Sequence, residues 1–311
     1  MQVFILVFCS MFFISCYETE IPIDIPIPQP RLVIHSIFTP FTPPVVKSFA
    51  VFVSHNTGVF DTLKTDQIAD ATVSLFVNGQ LSQIMNYDSV YGYKADFYPN
   101  AGIEYSISVE KLGFESVFAK GMIPDKVNIK SCELIPFAGL GEGDRAFSQL
   151  SVTFDDPIDQ ANYYEISVLG YGQENDKYIL TTTDKVITSE SYYPSPVSMD
   201  AKKPERLLFS DKLINGKTHT VEMSFRSNQA LIGNLLYITP HQLFLSFRTV
   251  SEEYYRYYTT LFKQVNDRRQ DLLFGMSEPS SVYSNIENGH GVFAGYYEDN
   301  RSFWVDSIRV R

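Results

Sequence analysis

Polar and apolar residues alternate with a period of two along much of this chain, in short runs separated by turn signals. In Thr72-Val73-Ser74-Leu75-Phe76-Val77 the alternation is clear, and it predicts a strand with one wet face. Asn78-Gly79 follows directly, the pair best suited to a tight hairpin turn. Arg31 to Phe38 forms an earlier strand candidate, ended by Thr39-Pro40, and its apolar run implies burial on both faces. Ser48 to Ser54 and Tyr105 to Glu110 complete the set, the last preceded by the turn Asn100-Ala101-Gly102. Residues 31–124, closed by Ile123-Pro124, therefore read as a small immunoglobulin-like or prealbumin-like β-sandwich.

Residues 125–311 read as a larger β-sandwich. Gly139 to Asp144 is rich in glycine and charge and predicts a flexible loop near its start. Strand candidates follow at Leu150 to Phe154, Tyr163 to Leu169, Tyr178 to Thr182, Thr218 to Phe225, Gln242 to Arg248, Gly291 to Tyr297 and Phe303 to Val310. One stretch changes period. Val250, Tyr254, Tyr258, Leu261 and Val265 recur at steps of three and four, which predicts an amphipathic helix near 250–266, started by Ser251 with Glu252 and Glu253 behind it. The expected class is mostly β: two sandwiches in series, the second carrying one helix.

The opening does not fit a globular pattern. Met1 to Ser15 is uncharged and almost wholly apolar, too short for an ordinary transmembrane helix, and resembles the apolar region of a signal peptide. It ends in Phe13-Ile14-Ser15-Cys16, which looks like a lipobox: a small residue before the cysteine that carries acyl chains after cleavage. Each buried methylene contributes about 0.8 kcal/mol, so two or three chains hold a protein durably where one does not. Residues 16–30 then form a lipidated cysteine and a tether. Ile21-Pro22-Ile23-Asp24-Ile25-Pro26-Ile27-Pro28 and Pro30 forbid helix and keep the segment extended. With Cys9 removed and Cys16 acylated, only Cys132 remains, so no intramolecular disulfide is expected. Cys132 reads as a small buried hydrophobe, since no local motif pairs it with a histidine.

Glu278-Pro279-Ser280-Ser281-Val282-Tyr283-Ser284-Asn285-Ile286-Glu287-Asn288-Gly289-His290-Gly291-Val292-Phe293-Ala294-Gly295-Tyr296 resembles the closing motif of the domain-of-unknown-function 4249 family of Bacteroidota lipoproteins. The likeness extends to the lipobox, the proline-rich start, Asn78-Gly79, the Tyr105 strand, Ile123-Pro124, Asn215-Gly216-Lys217 and the tyrosine-rich helix. What the resemblance implies is an outer-membrane lipoprotein, often beside a TonB-dependent transporter, with no catalytic residues supplied. Taken on their own, Asn285, Asn288, Gly289 and Gly291 read as turn formers that return an aromatic strand to its sheet.

Composition narrows the function classes. A formal charge of -11 argues against a partner held through its phosphates, so nucleic acid is not expected. The five histidines, His35, His55, His219, His241 and His290, lie far apart, and no HExxH, phosphate loop or dinucleotide fingerprint occurs; no metal, cofactor or catalytic residue is expected. Asp155-Asp156-Pro157 suggests a turn in preference to a calcium loop. With 24 Phe and 20 Tyr, aromatic side chains are the strongest hint of recognition. Among the clustered tyrosines, Tyr254, Tyr257, Tyr283 and Tyr296 are candidate binding residues, because a ring with a polar tip stacks on sugars or anchors an interface at small entropic cost; core packing is the alternative reading. The leading expectation is a non-enzymatic binding or accessory lipoprotein of the outer membrane, with its periplasmic or surface side left open. A structural or adhesive envelope protein is the alternative, and a glycan-acting hydrolase ranks below both.

Overall fold

The period-two pattern produces strands along most of the chain. In this computed structural model residues 29–40, 49–57, 67–158, 160–170, 177–194, 203–274 and 280–310 are described; the leader, Cys16 and nearly all of the tether lie outside them. Strands β1 (Leu32–Phe38), β2 (Ala50–His55), β3 (Thr72–Val77), β4 (Gln80–Ile84), β5 (Asn86–Asp88), β6 (Gly92–Lys94), β7 (Glu104–Glu110) and β8 (Val117–Met122) precede Ile123-Pro124. After it come β9 (Ile129–Gly141), β10 (Arg145–Asp155), β11 (Tyr163–Gly170), the short helix α1 (Lys185–Thr188), β12 (Arg206–Ser210) and β13 (Thr218–Arg226). The described chain ends with β14 (Gln229–Ile232), β15 (Leu235–Ile238), β16 (His241–Val250), the long helix α2 (Glu252–Phe274), β17 (His290–Val305) and β18 (Ile308–Arg309). The fold is mostly β, in several sheets, with one long helix.

Eight strands form the main sheet, in the order β12-β11-β16-β17-β1-β2-β6-β5. Two smaller sheets, β4-β3-β7-β8 and β13-β10-β9, and a three-stranded ribbon, β14-β15-β18, complete the set. Residues Pro30–Thr57 and Thr62–Arg311 belong to one compact unit. Its central element is β17, whose first half pairs with β1 in parallel while its second half pairs with β16 antiparallel. Side chains alternate along a strand, so the odd and even residues of β17 serve different layers. Phe293 joins the core of β1, β2, β3, β7 and β8, and Val305 joins the core of β10, β11, β13 and β16. Val292, Ala294 and Tyr296 point the other way and pack with Tyr254 of α2.

Two backbones beside β17 approach closely, and glycine permits it. Gly291 has φ +114, and a Cβ built there would lie 1.9 Å from the Ile34 carbonyl oxygen. At Gly295 a Cβ would come 2.5 Å from the Met122 carbonyl oxygen. Asn285 closes the same seam: its amide nitrogen donates to the carbonyls of Phe293 (2.8 Å) and Lys120 (3.1 Å), and its oxygen accepts from the Phe293 N–H (3.0 Å). Glu287 bridges to Phe118, and Asn288 donates to the Ser116 carbonyl. The conspicuous motif is thus a structural seam that sews β8 to β17, satisfying backbone groups that β8 would otherwise leave open at its edge.

Several expectations are corrected. The glycine-rich stretch after Phe137 is no long loop: β9 runs to Gly141, and only a tight turn separates it from β10. Residues 178–182 form no strand: Thr181 makes an isolated bridge to Ser224, and Lys177 just before them makes another to Leu169. The candidate at 291–297 and the first residues of that at 303–310 join in β17, because the polar run Glu298 to Ser302 pairs along β16 without interruption, while Ile308–Arg309 form β18 against β15. On β1, Leu32, Ile34, Ser36 and Phe38 are buried while His35 is exposed and Val33 and Ile37 are half-buried, so burial is one-sided. The helix runs to Phe274, Val250 belongs to β16, and Val265 is 43% exposed. Polar Thr259 and Asn266 take buried positions, so an apolar count misplaced the seam.

Gly291→Ala is expected to cost about 3 kcal/mol or more, the sum of left-handed strain and steric overlap. Gly113→Ala, where φ is +89 and no atom lies within 4 Å, should cost only about 1 to 2 kcal/mol. Urea unfolding midpoints at unchanged slope compare the two; equal losses would contradict the seam.

Candidate functional site

Three strands bring charges into one row beneath α2. Register pairs Glu165 of β11 with Arg248 of β16, and Arg248 with Glu298 of β17. All three side chains leave the sheet on the face opposite the core residues Tyr164, Phe247 and Val305. Arg248 fills the space between the carboxylates: its Nη1 donates to Glu165 Oε1 at 2.8 Å, and its Nε and Nη2 each donate to Glu298 Oε1 at 2.9 Å. Ser246 donates to the same Glu298 oxygen at 2.6 Å. From β12, Arg206 Nη1 reaches Glu165 Oε2 at 3.2 Å.

The helix closes this row with tyrosines. Ser251 Oγ accepts from the Tyr254 N–H, and Glu252 and Glu253 occupy the first turn, where carboxylates oppose the positive helix end. One turn in, the buried Tyr254 hydroxyl donates to Glu165 Oε2 at 2.8 Å and accepts from Arg206 and Arg248 at 3.3 and 3.4 Å. The guanidinium of Arg248 lies 4.5 Å from the Tyr296 ring centroid, and that of Arg206 lies 4.8 Å from Tyr258. Burial would lower Arg248, but the Glu165 carboxylate, together with Tyr254, Tyr296 and Glu298, outweighs it and holds the guanidinium well above its ordinary range. Burial, reinforced by the same carboxylate, pushes the Tyr254 phenol well up. Both groups keep their protons, so the cluster is a permanent cation–anion–phenol lattice.

The candidate tyrosines divide. Tyr254 and Tyr296 come together here, with ring centroids 6.0 Å apart. Tyr257 sits half-buried at its rim, edge-on to Tyr258 at 5.2 Å and to His35 at 6.5 Å. Tyr283 is elsewhere, beneath the Arg256 guanidinium at 4.1 Å, its N–H donating to Thr260. Glu165, Arg206, Arg248 and Glu298 were missed by a reading that looked for tyrosine. Their signal was available: Glu165 and Arg248 are opposite charges inside otherwise apolar strands.

A cleft of about 380 Å³ lies beside the helix start, lined by Glu104, Lys120, Asp125, Tyr163, Glu252 and Glu253 among others. No group of three or more His, Cys, Asp or Glu side chains suited to a metal ion occurs among the described residues. Asp156 accepts from the Tyr164 hydroxyl at 2.5 Å and the Gly216 N–H at 2.8 Å, so its carboxylate ties distant segments together instead of capping its own backbone as the turn reading expected.

The model of the domain of unknown function DUF4249 matches residues 18–302. The chain belongs to that family. The charge row and the glycine seam of this DUF4249 chain both lie inside the matched region. Among curated proteins, none matches this DUF4249 chain.

Truncating Arg248 to Met would remove the cation that two buried carboxylates share and should destabilise by about 3 to 5 kcal/mol, whereas Arg206→Met, at a side chain 30% exposed, should cost clearly less. Equal losses in chemical denaturation would contradict the central place given to Arg248. In alkali, Tyr254, Tyr164, Tyr192 and Tyr255 are all raised from 10.0, chiefly by burial. The unfolded chain then loses phenolic protons that the folded chain keeps, so stability is full below about pH 10 and falls above it. Tyrosinate absorbance from these groups should rise together with loss of the far-ultraviolet dichroism, in one step; smooth titration near pH 10 with the fold intact would contradict it.

Proposed function

We propose that this chain is a lipid-anchored, non-enzymatic binding or accessory protein of the outer membrane, working beside a partner such as a TonB-dependent transporter. The observation that carries the non-enzymatic part is the use made of the buried charges. Glu165 and Glu298 are the kind of carboxylate pair that glycoside hydrolysis needs, yet the Arg248 guanidinium fills the space between them, where a sugar and a water would have to stand. Glu165 accepts from Tyr254 of α2 and from the two arginines, and Glu298 accepts from Ser246 and Arg248 of β16. Location rests on the sequence: the apolar leader Met1 to Ser15, Cys16 after Ser15, and the proline-rich spacer that follows.

Metabolic labelling with palmitate tests the anchor. Wild type should carry label and sediment with membranes, and Cys16→Ala should lose both; unlabelled, soluble wild type overturns the anchor. Co-purification of the acylated protein in mild detergent should recover an outer-membrane barrel, and repeated failure would count against the accessory role.

A further inference from the structure

On a chain of formal charge -11, one groove is cationic. It has a volume of about 810 Å³ and is lined by Arg145, Arg226 and Lys203 against a single carboxylate, Glu142. None of the three cations is engaged in an ion pair with a described residue. Two smaller grooves continue it, sharing Ile179 and Arg226 on one side, where Lys177 adds a cation, and Thr181, Ser224 and Phe147 on the other, where Glu222 adds a carboxylate. The result is a long trough.

Its floor is the solvent face of β13-β10-β9. Register places Phe147 beside Arg226 on one flank and Gly139 on the other, and Arg145 opposite Gly141. Because β9 has no side chain at these two positions, the Phe147 ring lies against bare backbone: a Cβ at Gly139 would come within 3.1 Å of it. Phe147 stands outside the apolar core clusters, half-buried, in a strand whose Ala146 and Ser148 are buried. A flat ring held between guanidinium groups and hydroxyls suits a sugar, whose C–H face stacks on the ring while its acidic group meets the cations. The main-chain route to a peptide is closed at this point, because Thr181 already exchanges both backbone hydrogen bonds with Ser224, at 2.9 and 2.8 Å.

We propose that this trough binds an acidic glycan, with Phe147 as the stacking platform and Arg145, Arg226 and Lys203 as the anion contacts. The inference gives a ligand class to the binding role above and rests on it, but not on the lipid anchor. Calorimetric titration of the full chain uses four probes: oligogalacturonate, its methyl ester, a sulfated dextran oligosaccharide and polyglutamate. Binding is expected for oligogalacturonate or the sulfated sugar, which tells carboxylate from sulfate, with the neutral ester at least about tenfold weaker. Arg226→Gln and Phe147→Ala should each weaken it about tenfold or more at unchanged melting temperature. Should Phe147→Ala fold poorly, Phe147→Leu keeps the apolar volume and should still lose affinity. Failure of both acidic sugars, equal binding of polyglutamate, or binding indifferent to Phe147 would overturn the proposal. Loss of palmitate label in Cys16→Ala with glycan binding retained separates the two readings.

Discussion

Everything in this fold leans on one strand serving three layers at once. Period-two alternation gives β17 two faces, and its length lets the odd face enter two separate cores while the even face receives a helix. That arrangement demands close backbone contact with β1 on one side and β8 on the other. Side chains at Gly291 and Gly295 would prevent it, and Asn285 supplies the hydrogen bonds that a missing strand would have made. A motif that invites a functional reading is therefore explained by the chain's return into the sheet.

The charge row beneath α2 follows from the same geometry. Pairing of β11, β16 and β17 puts Glu165, Arg248 and Glu298 in line, and desolvation would make any one of them costly alone. Together they are satisfied. A buried network of this kind contributes little net stability over an apolar isostere, but it punishes misplacement, since a shift of α2 would take the buried Tyr254 hydroxyl away from Glu165, Arg206 and Arg248. Its product is a fixed helix position; recognition is left to surface features such as the cationic trough.

Much of the fold was legible because the strands that carry it alternate cleanly: β3, β7, β10 and β13 follow their polar–apolar pattern within a residue or two or extend it. Legibility failed where pairing overrode composition. Nothing local in Glu298 to Ser302 announces a strand, yet β16 alongside supplies the ladder. The whole of β9 escaped for the same reason, since pairing with β10 carries it through the glycines that read as a loop. On the helix, tyrosines were visible but their partners were not, because Glu165 and Arg206 are brought to Tyr254 only by strand register across long sequence separations. The trough was invisible too: Arg145, Lys203 and Arg226 are unremarked surface charges until the fold lines one groove with them.

Native-state hydrogen exchange measures most directly whether β17 joins the two cores. Amides of β1 that bond to β17 and amides of β16 that bond to its other half should exchange through one shared opening, with the same free energy and the same denaturant dependence. A separate, shallower opening for the β1 set, with β16 still protected, would show that the strand binds its neighbours without coupling them.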